Sequence, residues 1–192
     1  EFALDRERMA TLLGFDGLAL NTRDAVWGRD LETEAHTVTL LLAGNFNRLA
    51  EDLMLWSAPE FGLVECVDGF CGTSSIMPQK KNPNALECLK GVVATVTGHL
   101  VSTAMVHKNP STVPVFEWVR SMSDAWRGYD EMNSALPLME AILRTLTVHR
   151  ERMAHSAGRH WATATDLAAA LVREAGLTWR AAHQVTGIVV RL

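Results

Sequence analysis

Residues 31–56 read LETEAHTVTLLLAGNFNRLAEDLMLW. Through this stretch Ala35, Val38, Leu42, Phe46, Leu49, Leu53 and Trp56 recur at steps of three and four, the spacing of one stripe along an α-helix. No proline interrupts the pattern. A helix of about seven turns is about twice the usual globular length, and helices of that length suit a bundle.

The same period continues outward from this helix. Beyond Pro83, the positions Ala85, Leu86, Leu89, Val93, Val96 and Leu100 predict a second long helix over 84–108. A third is predicted over 116–145, with Pro137 expected to kink it or end it early. Val92–Val93 and Val189–Val190 hint at strand, but both lie inside helical patterns. The fold class expected is all-α, a bundle of long helices.

The two ends differ from this centre. Residues 1–30, with NTRDAVWGRD at 21–30, read as a polar, turn-rich approach to the first long helix. After Met153 the chain shifts to smaller units. Thr165 or Asp166 caps one short helix that Gly176 stops, and another begins near Thr178. The expected organisation is a central helical-bundle domain over 1–150 and the start of a small C-terminal helical domain over 151–192.

Composition excludes several function classes. The chain has 192 residues, 21% of them charged, with a net charge of -4, so it has no basic field for nucleic acid. No run of about 18 apolar residues suggests a membrane span. The opening EFALDRERMA lacks the basic start and apolar core of a signal peptide. Cys66, Cys71 and Cys88 do not have zinc-ligand spacing and read as reduced thiols of a cytoplasmic protein. The seven histidines likewise show no ligand spacing, so no metal is expected.

Against this helical background, residues 72–87 stand apart: GTSSIMPQKKNPNALE. Two serines, two lysines and an asparagine crowd around two prolines. Asn82 is a favoured N-cap type, and Pro83 then falls at the first helical position, where its missing N–H costs nothing. A helix starting there turns its unpaired N–H groups and positive dipole end toward the loop, and Lys80 and Lys81 add charge. Such a site suits an anion, above all a carboxylate. A serine in that field, Ser74 or Ser75, has its alkoxide favoured and is able to act as base or nucleophile. The competing reading is a polar helix entry with solvated lysines.

SSIMPQKKNP closely resembles the signature of the fumarase/aspartase superfamily, and the MPQKKNP form resembles its argininosuccinate lyase branch. LLGFDGLALNTRDAVWGRD, RLAEDLMLWSAPEFGLVE, LTVHRERM and ATDLAAALVREAGLTWRAAH are also similar to stretches of those lyases, so the likeness covers nearly the whole chain. It implies elimination of an amine from a succinyl-type substrate to give fumarate, in a cytoplasmic homotetramer, with no metal or organic cofactor. It also implies that the family's histidine-bearing region lies upstream of Glu1 and that part of the C-terminal domain lies beyond Leu192.

Residue by residue, the resemblance makes Ser74 the general base that takes a proton from the carbon next to a carboxylate. Lys80 and Asn82 bind that carboxylate and stabilise the charge that develops on it, with Ser75 beside them. Glu87 corresponds to the carboxylate that orients the family's catalytic histidine. Arg29, in the GRD triplet, corresponds to a supporting arginine near the site, although a salt bridge with Asp30 at a helix start explains it equally well. Two departures stand out. Thr73 replaces the glycine that usually precedes the serine pair, which stiffens a loop that must close over substrate. Pro114, Val119 and Met122 occupy positions where the branch carries a tyrosine, a glutamine and a lysine that hold its substrate. The resemblance therefore implies a related lyase acting on another N-substituted aspartate, with Glu117 and Trp118 as candidates for the altered pocket. A non-catalytic structural or regulatory relative is the alternative.

Overall fold

A computed structural model of the chain describes residues 3–28, 30–108 and 115–192. Its helices are α1 (Arg6–Leu13), α2 (Thr22–Trp27), α3 (Asp30–Ser57), α4 (Asn84–Val106), α5 (Val115–Thr145), α6 (Arg150–Ala157), α7 (Ala164–Ala175) and α8 (Trp179–Val189). Four two-residue strands, β1 (Val64–Glu65), β2 (Gly72–Thr73), β3 (Lys81–Asn82) and β4 (Thr147–Val148), are the extended elements among the described residues. The three long helices therefore lie where the periodicity placed them, and the protein is all-α.

Two compact units form, one from Glu1–Glu51 with Ala85–Ala141, the other from Asp52–Asn84 with Ile142–Leu192. In the first unit, paired side chains define how the long helices run. Lys90 meets Glu51 in an ion pair, while Thr33 Oγ1 lies 3.1 Å from His107 Nδ1, so α3 and α4 are antiparallel. Ser102 of α4 donates to Asp124 of α5. Trp118 Nε1 donates to Glu32 at 3.4 Å, and the His36 and Tyr129 rings lie 5.4 Å apart, so α3 and α5 run parallel.

The buried stripe of α3 matches the apolar one read from the sequence only in part: of those positions Leu53 is buried. His36, Ala43 and Ala50 are fully buried at seven-residue steps, whereas Val38 is 60% exposed and Leu42 36%. The small alanines let neighbouring helices approach closely. On α5 the buried set is Ala125, Met132, Ala135 and Met139 in this unit, with Gly128 also buried. Pro137 neither ends nor breaks this helix. Proline removes one N–H donor from the ladder, while the buried side chains on either side of it hold the helix in the core.

His36 fixes Gly128 by contact. A Cβ added to Gly128 would lie 2.3 Å from His36 Nε2, and the rigid, fully buried ring has no room to retreat. Gly128→Ala is therefore expected to destabilise this unit by about 1–3 kcal/mol, the usual cost of overpacking. Thermal unfolding tests this, and an unchanged Tm would contradict the packing described.

Residues 1–30 hold more helix than their polar composition suggested. Asp5 caps α1 by accepting from the Arg8 N–H at 3.0 Å, and Gly14 ends it in the left-handed region at φ 77°. In the second unit, β1 pairs antiparallel with β4, Val64 opposite Val148. Gly176 ends α7 at φ 64°, and the Thr178 hydroxyl accepts from the Ala181 N–H at 3.3 Å to start α8, both as predicted. The cap of α7 is Thr163, just before the predicted Thr165 or Asp166.

Candidate functional site

The loop with two serines and two lysines is the tip of a hairpin. β2 and β3 pair antiparallel, with Gly72 opposite Asn82 and Thr73 opposite Lys81, and residues 74–80 connect them. Gly72 lies close to the exposed Asn84 side chain, whose Nδ2 would be 2.2 Å from an added Cβ and would have to turn aside. Thr73 sits in the stem, where a β-branched residue fits extended backbone. The stiffness expected from it falls on the ladder rather than on the connecting residues.

Ser74 is half-buried, and its Oγ accepts the backbone N–H groups of Ile76 and Met77, each at 3.2 Å. Two donors aimed at one hydroxyl oxygen favour negative charge on it. A turn follows, closed by the Lys80 N–H donating to the Met77 carbonyl at 3.0 Å, with Pro78 at its second position. Ser75 and Lys80 are exposed.

The two lysines divide. Lys81 Nζ lies 2.7 Å from Asp68 Oδ1 and 2.8 Å from Glu65 Oε1. Hydrogen bonds to Asp68 and then Glu65 hold its ammonium well above the ordinary lysine range. The same bonds hold both carboxyls below their usual values. Lys80 makes no ion pair among the described residues. It is the cation left for an external anion.

Asn82 does not cap the following helix. Its backbone belongs to β3, and α4 begins at Asn84, so Pro83 is the residue before the helix rather than its first. The ladder partner at Gly72 claims Asn82 for extended geometry, which a helix-cap reading of NPN does not anticipate. Asn82 is half-buried on the same hairpin as Ser74 and Lys80.

The structure thus collects Ser74, Ser75, Lys80 and Asn82 on one hairpin of the second unit. Glu87 is exposed in the first turn of α4 and belongs to the first unit. Arg29 and Pro114 lie outside the described residues. Glu117 and Val119 are exposed near the start of α5, where they line a groove of about 750 Å³ with Phe116, Arg120 and Arg127. Trp118 and Met122 are half-buried on the same helix, the tryptophan bonded to Glu32. The clamp of Glu65 and Asp68 on Lys81 escaped the sequence reading. Both carboxylates lie well upstream of the motif, and no local spacing signals the contact.

Near it, Cys66 is buried and Cys71 half-buried, and both are free thiols. Burial, then the neighbouring Cys71, pushes the Cys66 thiol up, and burial likewise raises Cys71.

A family model described as Lyase matches residues 2–98, and one described as Argininosuccinate lyase C-terminal matches residues 161–192. An argininosuccinate lyase of Methanosarcina acetivorans is 37% identical over 190 residues, covering 99% of this chain and 39% of the relative. The chain thus spans about two fifths of that relative's length. Among solved structures, EDDS lyase in complex with formate superposes with a TM-score of 0.80 at 34% identity, covering 98% of this chain and 37% of that one. A variant of EDDS lyase with bound fumarate matches equally well.

Proposed function

The chain belongs to the lyase family of the fumarase/aspartase superfamily, in the argininosuccinate lyase branch, and from that premise we propose that it supplies the base and the carboxylate-binding loop of a carbon–nitrogen lyase that eliminates an amine from an N-substituted aspartate and releases fumarate. The observation that carries this reading is the hairpin tip, where Ser74 Oγ receives two backbone N–H groups while Lys80 stands nearby in sequence without an ion-pair partner among the described residues.

The chemistry follows from those atoms. Ser74, as alkoxide, takes a proton from the carbon next to a substrate carboxylate. Lys80 and Asn82 hold that carboxylate and stabilise the second negative charge it takes up as the carbanion forms. The carbon–nitrogen bond then breaks, its electron pair leaves with the amine, and the remaining pair forms the double bond of fumarate. The amine takes its proton from a group this hairpin does not supply. Ser75 and Arg29 support substrate binding, and Glu87 orients the histidine that completes the site from elsewhere in the full-length protein. The step requires no metal or organic cofactor.

The fumarate-bound EDDS lyase supports a dicarboxylate ligand. Exposed apolar side chains along the long helices, Leu31 at 77%, Leu41 at 65% and Trp126 at 59% among them, support burial against further protein surface, and the assembly proposed is a cytoplasmic homotetramer. In that protein, residues 1–150 belong to the central bundle and 151–192 begin the C-terminal domain. A non-catalytic structural or regulatory relative is the second reading; the persistence of Ser74, Lys80, Asn82 and Glu87 together favours the enzyme.

Lys80→Met in the full-length protein tests the carboxylate grip. A hydrogen bond to a charged group contributes about 1.5–3 kcal/mol, so fumarate is expected to bind about ten- to a hundredfold more weakly by calorimetric titration. Unchanged fumarate affinity would remove Lys80 from the site.

A further inference from the structure

The second lysine of the motif has a different task from the first. Lys81 stands in β3 opposite Thr73, and Thr73 is followed directly by Ser74, so any shift of Lys81 reaches the serine through one ladder pair. A hairpin stem of two residue pairs is too short to hold its own geometry. Something else must fix it. Lys81 Nζ is gripped by Glu65 of β1 and by Asp68 in the short 3-10 turn Asp68–Phe70. Glu65 is in turn placed by the antiparallel pairing of β1 with β4 and lies 3.8 Å from His149 Nε2. One ammonium thereby ties the serine hairpin to the β1–β4 pair.

We propose that Lys81 is a positioning residue, whose clamp between Glu65 and Asp68 sets the register and placement of the hairpin carrying Ser74, and that it does not bind substrate. The ammonium is saturated by two carboxylates, so it has little attraction left for a third. Each exposed ion pair is weak in itself. Its effect here lies in placement, because small displacements of a catalytic group carry large rate penalties.

The proposal rests on the lyase reading for its kinetic consequence but not for its structural one. In the full-length protein, Lys81→Met is expected to speed hydrogen exchange of the Ile76 and Met77 amides, which the Ser74 oxygen holds, by about tenfold. It should lower kcat about tenfold and weaken fumarate by clearly less than Lys80→Met does, because Lys80 and Asn82 keep their own side chains on the displaced hairpin. The double variant Glu65→Gln with Asp68→Asn removes the clamp from the other side and should reproduce both effects, while Lys81→Arg should restore slow exchange and most of kcat. Lys80→Met should do the reverse, weakening fumarate while leaving exchange at Ile76 and Met77 as it was.

Exchange at those amides that stays unchanged in both Lys81→Met and the carboxamide pair would overturn the proposal. So would a loss of fumarate affinity in Lys81→Met as large as in Lys80→Met. If no N-substituted aspartate is turned over by any variant, the lyase reading fails, and the exchange measurements alone decide the clamp.

Discussion

Ser74→Ala in the full-length protein is expected to lower kcat by at least about a hundredfold, the scale for losing a general base. The hydroxyl oxygen is the acceptor for two backbone N–H groups at 3.2 Å, an environment that favours its ionised form. Alanine removes both the base and the acceptor. The substitution also frees those N–H groups, so a loss of rate by itself does not separate chemistry from loop structure. Fumarate affinity makes the separation, because Lys80 and Asn82 remain in place. Titration with fumarate should give a Kd close to that of the unaltered protein, while initial rates of fumarate formation collapse. Normal turnover in Ser74→Ala would move the base to another residue.

The second large effect concerns the amine half of the substrate. Argininosuccinate should be turned over with a kcat/KM about a thousandfold below that of true argininosuccinate lyases. At the positions where that branch places polar ligands, this chain has Pro114, Val119 and Met122, and none of those side chains donates a hydrogen bond. Each lost partner costs about 1–3 kcal/mol in a polar pocket, so three losses cost about 3–9 kcal/mol, and about 4 kcal/mol of that already corresponds to about a thousandfold. Val119 lines the groove at the start of α5 with Glu117 and Arg120, side chains of opposite charge, and Met122 lies on the same helix. Steady-state kinetics with argininosuccinate beside other N-substituted aspartates measures the discrimination. Kinetics equal to those of argininosuccinate lyases would mean that the 114–122 segment has been matched to the wrong family positions.

Helix length and position were legible because spacing at three and four residues survives in any environment. The buried face was legible on α4, where Leu86, Leu89 and Val96 enter the core as their spacing implied, but only in part on α3. Hydrophobicity points to Val38 and Leu42 on α3, yet the core takes His36, Ala43 and Ala50, since close approach of neighbouring helices selects small side chains and a ring that Gly128 makes room for. Pro137 does not end the helix early, because the lost backbone bond is outweighed when residues on either side are already buried. Asp5 and Gly14 bracketed α1 with ordinary cap residues, but so short a helix has little apolar periodicity to reveal it.

The hairpin site was legible as a contiguous motif, and its serine, first lysine and asparagine do share one local structure. Two features escaped. Asn82 looked like a helix cap because N-cap preference is local, while its strand pairing depends on Gly72, ten positions away. The pairing of Lys81 depends on Glu65 and Asp68, which no spacing rule links to residue 81.

The most direct test of the account is ultraviolet detection of fumarate released by the full-length protein from a panel of N-substituted aspartates. At least one member of the panel should yield fumarate at a rate that Ser74→Ala abolishes, and argininosuccinate should not be the best of them. No fumarate from any member, from a folded protein that carries the complete family site, would contradict it and leave the non-catalytic reading.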